Sequence, residues 1–151
     1  MSKILKTYKK LKDKPFGKWL FIKAVGWQAP YLNTIKASVI DLKPGFGSFS
    51  MKNRRSVQNH LKAVHAIAIC NLCELTAALT TDATIPAHKR WIPTEMNIRY
   101  LAKGKTKLTA TCYIDHQDWD GKFDLPVRVR VEDANGVKVS VAVITMKISD
   151  R

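Results

Sequence analysis

The residues able to do chemistry crowd into one stretch, Asn59-His60-Leu61-Lys62-Ala63-Val64-His65-Ala66-Ile67-Ala68-Ile69-Cys70-Asn71-Leu72-Cys73-Glu74. Glu74 is the one acid between Asp41 and Asp82. It falls inside the most apolar helical run of the chain, so it lies either on a single wet stripe or in a pocket. In a pocket, burial would raise its pKa and fit it to accept a proton near neutral pH. His65 has two readings, a residue that caps or orders a loop and one that takes part in catalysis. Asn59 makes a good N-cap for a helix starting near His60. Cys70 and Cys73 form C-x-x-C, but they sit among alanines and leucines with no second ligand pair. They read as core packing rather than a zinc or redox site. His60, His65 and Glu74 are not helical neighbours, so no metal site is expected.

Those residues need elements to hold them. A helix is predicted from about His60 to Thr81, with Leu61, Val64, Ala68, Leu72, Leu75 and Leu79 on one stripe. Its other faces carry Ala66, Ile67, Ile69 and Cys70, and a helix apolar nearly all round is buried on nearly all sides. Before it, Ala37, Val39 and Asp41 begin a strand, Lys43-Pro44-Gly45 turns, and Gly47, Phe49 and Met51 resume with period two. After it, Met96, Ile98 and Tyr100 alternate with polar residues, and Lys103-Gly104-Lys105 turns into Leu108, Ala110, Cys112 and Ile114. Val127, Val129 and Val131 oppose Arg128, Arg130 and Glu132. Asn135-Gly136 then signals a hairpin into Val137, Val139, Val141 and Val143. The phase slips to Ile144, Met146 and Ile148, which predicts a bulge or a strand covered on both faces. Two strands, one buried helix and four strands in antiparallel succession make an α+β domain, a curved antiparallel sheet wrapped around the helix.

Size and charge bound the rest. A chain of 151 residues suits one domain. Its three cysteines cannot make a disulfide lattice. No run of about 18 uncharged apolar residues predicts a membrane span. The apolar stretch Trp19 to Val25 is broken by Lys23, so no secretory signal is expected and a cytoplasmic location is. Half of the net charge of +14 lies in residues 1–23, which hold eight lysines against Asp13. Residues 1–34 are therefore set apart as a basic helical segment of two short helices, with residues 35–151 as the main domain. The segment is either an amphipathic cap packed on that domain or a peripheral contact to an anionic membrane surface.

The order of elements over about residues 36–148, and the polar spacing in 59–74, resemble the hot-dog fold and in particular the PaaI-like acyl-CoA thioesterases. That family reads Asn, a few residues, His-Gly-Gly, then a helix bearing a catalytic Asp or Glu. Here His65-Ala66-Ile67 occupies the His-Gly-Gly position, with Glu74 nine residues after His65 and fifteen after Asn59. The resemblance implies a thioester hydrolase in which Glu74 is general base or nucleophile and Asn59 positions water or the substrate carbonyl. The backbone N–H of Ile67, with that of Ala66, would polarise the carbonyl, aided by the helix dipole, and His65 would order the loop or contact substrate. Ala66 and Ile67 replace glycines that let backbone approach the thioester, and the Cβ of Ile67 narrows that approach. Lys62 also stands where Gly is common. A second function on the same fold is a non-catalytic acyl-thioester or lipid-binding protein. The resemblance further implies a homodimer or tetramer joined along sheet edges, and no cofactor, coenzyme A entering only as part of the substrate.

Arg54, Arg55, Lys62, Lys89, Arg90, Arg99, Lys103 and Lys105 bracket the helix start and the following strands. Such a field suits the phosphates of coenzyme A, with Lys103 and Lys105 as candidate ligands, or an acidic acyl carrier protein. Nucleic acid is disfavoured, since no recognised motif appears and the arginines after Val127 alternate singly with valines.

Overall fold

The computed structural model describes residues 2–116 and 118–151. Six strands form one curved sheet: β1 Ser38–Lys43, β2 Phe46–Met51, β3 Lys89–Tyr100, β4 Leu108–Tyr113, β5 Phe123–Glu132 and β6 Lys138–Asp150. Their order is β1-β2-β4-β5-β6-β3, and every neighbouring pair is antiparallel. Period two does the sorting. On β5, Leu125, Val127, Val129 and Val131 are buried, while Asp124, Arg128 and Arg130 face solvent. Helix α3, Ala66–Thr84, lies in the concavity and packs against all six strands. By length and composition α3 could cross a bilayer, but it is the core helix, with Leu72 and Leu75 all but fully covered.

Three of the helix's threonines satisfy their hydroxyls within the helix, whereas the fully buried Thr81 Oγ1 has no partner among the described residues. Thr76, Thr80 and Thr84 donate to the carbonyls of Leu72, Thr76 and Thr80, one turn back. Close approach of β2 then needs a glycine. A Cβ at Gly47 would lie 2.0 Å from Thr80 Oγ1.

Three details differ from the sequence expectation. The four later strands do not pair in succession: β3 crosses to the far edge and pairs with β6, leaving β4 beside β2. The phase slip in β6 falls at Val139-Ser140, both buried, because the β5–β6 register jumps there. Ala142, Ile144, Met146 and Ile148 therefore face α3, and Val141 and Val143 lie half-exposed on the convex face. The central helix starts at Ala66 rather than near His60, for a reason given below.

Helices α1, Lys3–Leu11, and α2, Gly17–Gln28, precede a 3₁₀ turn over Pro30–Ile35. Ser2 caps α1 by accepting the Leu5 N–H. Leu5, Tyr8, Phe21, Ile22 and Val25 pack into the same core as the sheet, and the Tyr8 and Phe21 rings meet edge to face at 5.1 Å.

Candidate functional site

Between β2 and α3 the chain forms a tight loop built on Asn59. Its Oδ1 accepts the N–H groups of Leu61 at 2.9 Å and Ala63 at 3.2 Å. Its own N–H donates to the Ala63 carbonyl at 2.9 Å. Lys62 sits at φ 57° in this loop, the left-handed region where glycine is at ease. The loop is stapled to the turn at 103–107. Val64 N–H donates to the Gly104 carbonyl at 2.8 Å, and Asn53 Nδ2 donates to the carbonyls of Lys62 and Lys105. A helix start near His60 is thereby excluded. The N-cap of α3 is His65, not Asn59, and Asn59 serves the loop instead.

His65 is exposed, and its Nδ1 accepts the Ile67 N–H at 3.1 Å. That bond needs the neutral ring with its proton on Nε2. The Ile67 N–H, expected to face the substrate carbonyl, is thus engaged by the ring of His65. The N–H of Ala66, one residue earlier, has no partner among the described residues. The Ile67 side chain stands 56% exposed at the helix start.

Glu74 lies seven residues beyond Ile67 on the same helix face, about 10 Å along the axis. It is half-buried, and its carboxylate makes no hydrogen bond or ion pair among the described residues. Cys70 lies between them. Its Sγ is 2.9 Å from the hydroxyl of Tyr100, which also donates to the Ala66 carbonyl at 3.2 Å. Tyr100 thus ties the edge strand β3 to the first turn of α3. Burial of its hydroxyl, reinforced by the bond to Cys70, holds the phenol well above the ordinary tyrosine range. Burial likewise pushes the thiols of Cys73 and Cys112 up to about 12, which makes them inert core groups.

A cavity of about 230 Å³ opens at the helix start, lined in part by Tyr31, Thr34, Gln58, His65, Ile67 and Asn71. Glu74 and Asn59 are not in its lining. Asn71 is 4% exposed and donates to the Tyr31 carbonyl and to Thr34 Oγ1, tying α3 to the 3₁₀ turn. Beside the Asn59 loop, Lys52, Lys62, Lys105 and Lys107 share a shallow basin of about 590 Å³. Lys103 is exposed and lies outside that lining. Sequence reasoning singled out neither Tyr100 nor Asn71 as a site residue. The signals were present: Tyr100 continues the alternation of Met96 and Ile98, and Asn71 is a lone amide in an apolar helix. Among the described residues, no cluster of three or more His, Cys, Asp or Glu side chains could hold a metal ion.

A family model described as a domain of unknown function (DUF4442) matches residues 17–148. The chain belongs to this family. No curated protein matches it. A structural-genomics crystal structure designated APC5556 is 35% identical to this DUF4442 chain, covers 98% of it and 99% of its own length, and superimposes with a TM-score of 0.86. A Pseudomonas aeruginosa protein, PA5026, described as a probable thioesterase, is 16% identical over 83% of this chain and 91% of its own, with a TM-score of 0.74. The thioesterase HI1161 of Haemophilus influenzae is 11% identical over 80% of this chain and 82% of its own, with a TM-score of 0.70. The fold of the DUF4442 chain is the hot-dog fold these proteins share.

Proposed function

We propose that this protein hydrolyses an acyl thioester, with an acyl-CoA as the substrate class. One observation carries the reading: Glu74 is a half-buried carboxylate without a partner among the described residues, set on the outward stripe of the core helix. A side chain with no structural bond in that setting is free to act on a ligand. As Glu74 takes a proton from water, the water oxygen adds to the thioester carbonyl carbon. Charge on the carbonyl oxygen is met by the Ala66 N–H and the positive α3 end of a second copy. The C–S bond then breaks, releasing a carboxylic acid and a thiol that takes up the proton. Lys105, with Lys52, Lys62 and Lys107, supplies a basin for the coenzyme A phosphates.

Within one copy, Glu74 and the helix start stand too far apart along α3 to act on one carbonyl. A homodimer pairing along β3, a 12-residue strand at the open edge of the sheet, would bring a second copy to the site and cover that edge. The test is thiol release from short, long and aryl acyl-CoAs. Glu74→Gln lowers turnover by a factor of about 100 or more with unchanged thermal unfolding; full activity in that variant overturns the assignment.

The bond between His65 and the Ile67 N–H favours one second reading, acyl-thioester binding without turnover. Saturable acyl-CoA binding by wild type, with no thiol released from any substrate, would select it.

A further inference from the structure

We infer that the outer face of α2 is a docking surface for an anionic lipid bilayer. The helix has two apolar sides. Phe21, Ile22 and Val25 face the core, and on the opposite side Trp19, Leu20 and Trp27 stand 59%, 45% and 86% exposed. At about 100° per residue these three fall with Lys23 on one face. Lys23 Nζ lies 5.6 Å from the Trp19 ring centroid, within cation–π reach on this outer face. One turn earlier Phe16, at φ 57°, holds its ring 83% exposed. A helix meant only to cap the domain would carry polar residues there.

Charge names the occupant. Residues 1–40 contain nine lysines and one acid, Asp13, so the apolar face is set in an almost purely cationic surround. Beside it, Lys12, Lys14 and Lys18 line a cleft of about 420 Å³ together with Phe16, Trp19 and Ile22. Indole and phenyl rings next to ammonium groups match the boundary between acyl chains and anionic headgroups, where rings enter the interface and lysines reach outward. The inference does not depend on the thioesterase reading, since none of these residues lies at the α3 site.

The test uses the full chain with vesicles of phosphatidylglycerol and phosphatidylcholine in equal parts, and of phosphatidylcholine alone. Wild type sediments with the anionic vesicles, its tryptophan emission shifts to the blue, and binding weakens as salt rises. Trp19→Glu with Trp27→Glu lowers the bound fraction by about tenfold while thermal unfolding stays in place, because both rings lie outside the core. Lys12→Glu with Lys14→Glu lowers it to a similar degree. Should either pair disturb folding, brominated phosphatidylcholine mixed into the anionic vesicles quenches wild-type tryptophan emission and serves instead. Failure to sediment with anionic vesicles, equal binding by the tryptophan variant, or absence of quenching overturns the inference. So does conversion of a dimer to a monomer by the tryptophan pair without any vesicle binding, which would assign the face to a second copy.

Discussion

Helices α2 and α3 are both apolar around most of their circumference, yet they sit in opposite surroundings. The sheet curves around α3 and covers about two thirds of it, down to Leu72 at 0% and Leu75 at 2% exposure. α2 rests on the outside of the same core, so Phe21 and Val25 are covered while Trp19 and Trp27 are in water. Composition sets how much apolar surface a helix carries, and its neighbours decide how much is hidden. The few groups that stay uncovered differ in kind as well. On α3 they are Ile67 at the helix start and the half-buried carboxylate of Glu74, the group on which the proposed hydrolysis rests. On α2 they are rings among lysines, which points to a surface.

Stability measurements can break that contrast. The largest effect belongs to α3: Leu75→Ala should cost about 2–5 kcal/mol in denaturant unfolding. A cost under about 1 kcal/mol would mean that the sheet does not close on the helix. His65→Ala removes the N-cap of α3 and should cost about 1 kcal/mol. The same variant sharpens the catalytic question, because it releases the Ile67 N–H, and turnover in the thiol-release assay should be kept or raised. A fall in turnover beyond tenfold would instead give His65 a direct contact with substrate. The smallest effect belongs to α2: Trp27→Ser should shift unfolding by no more than about 0.5 kcal/mol, since the indole has no packing to lose.

Much of the fold could be read from the residues. Alternation in Leu125 to Val131 and in Leu108 to Cys112 marks strands with one buried face, and the apolarity of 66–79, broken only by Asn71, Glu74 and Thr76, marks the helix they enclose. The crossing of β3 to the far edge could not be read. Pairing depends on contacts between residues distant in sequence, and Met96, Ile98 and Tyr100 would alternate the same way beside either partner. The helix start was also misplaced, because Asn59 satisfies the capping preference equally well inside a loop. Its two accepted N–H groups belong to Leu61 and Ala63, which are not helical. At the site, Glu74 stood out as a lone acid, while the role of Tyr100 appears only where β3 passes the first turn of α3.

By itself the sequence determined the periodicities, the position of a single carboxylate within an apolar helix, and the lysine excess at the N-terminus. These are local properties, carried by each segment whatever it touches. The tertiary structure decided which of them face a neighbour. It gave the Ile67 N–H to His65, left Glu74 without a partner among the described residues, set Lys105 among three other lysines, and put Trp19 and Trp27 outside the core. Burial and hydrogen bonding depend on what lies opposite a residue, and that is settled only when the chain closes on itself.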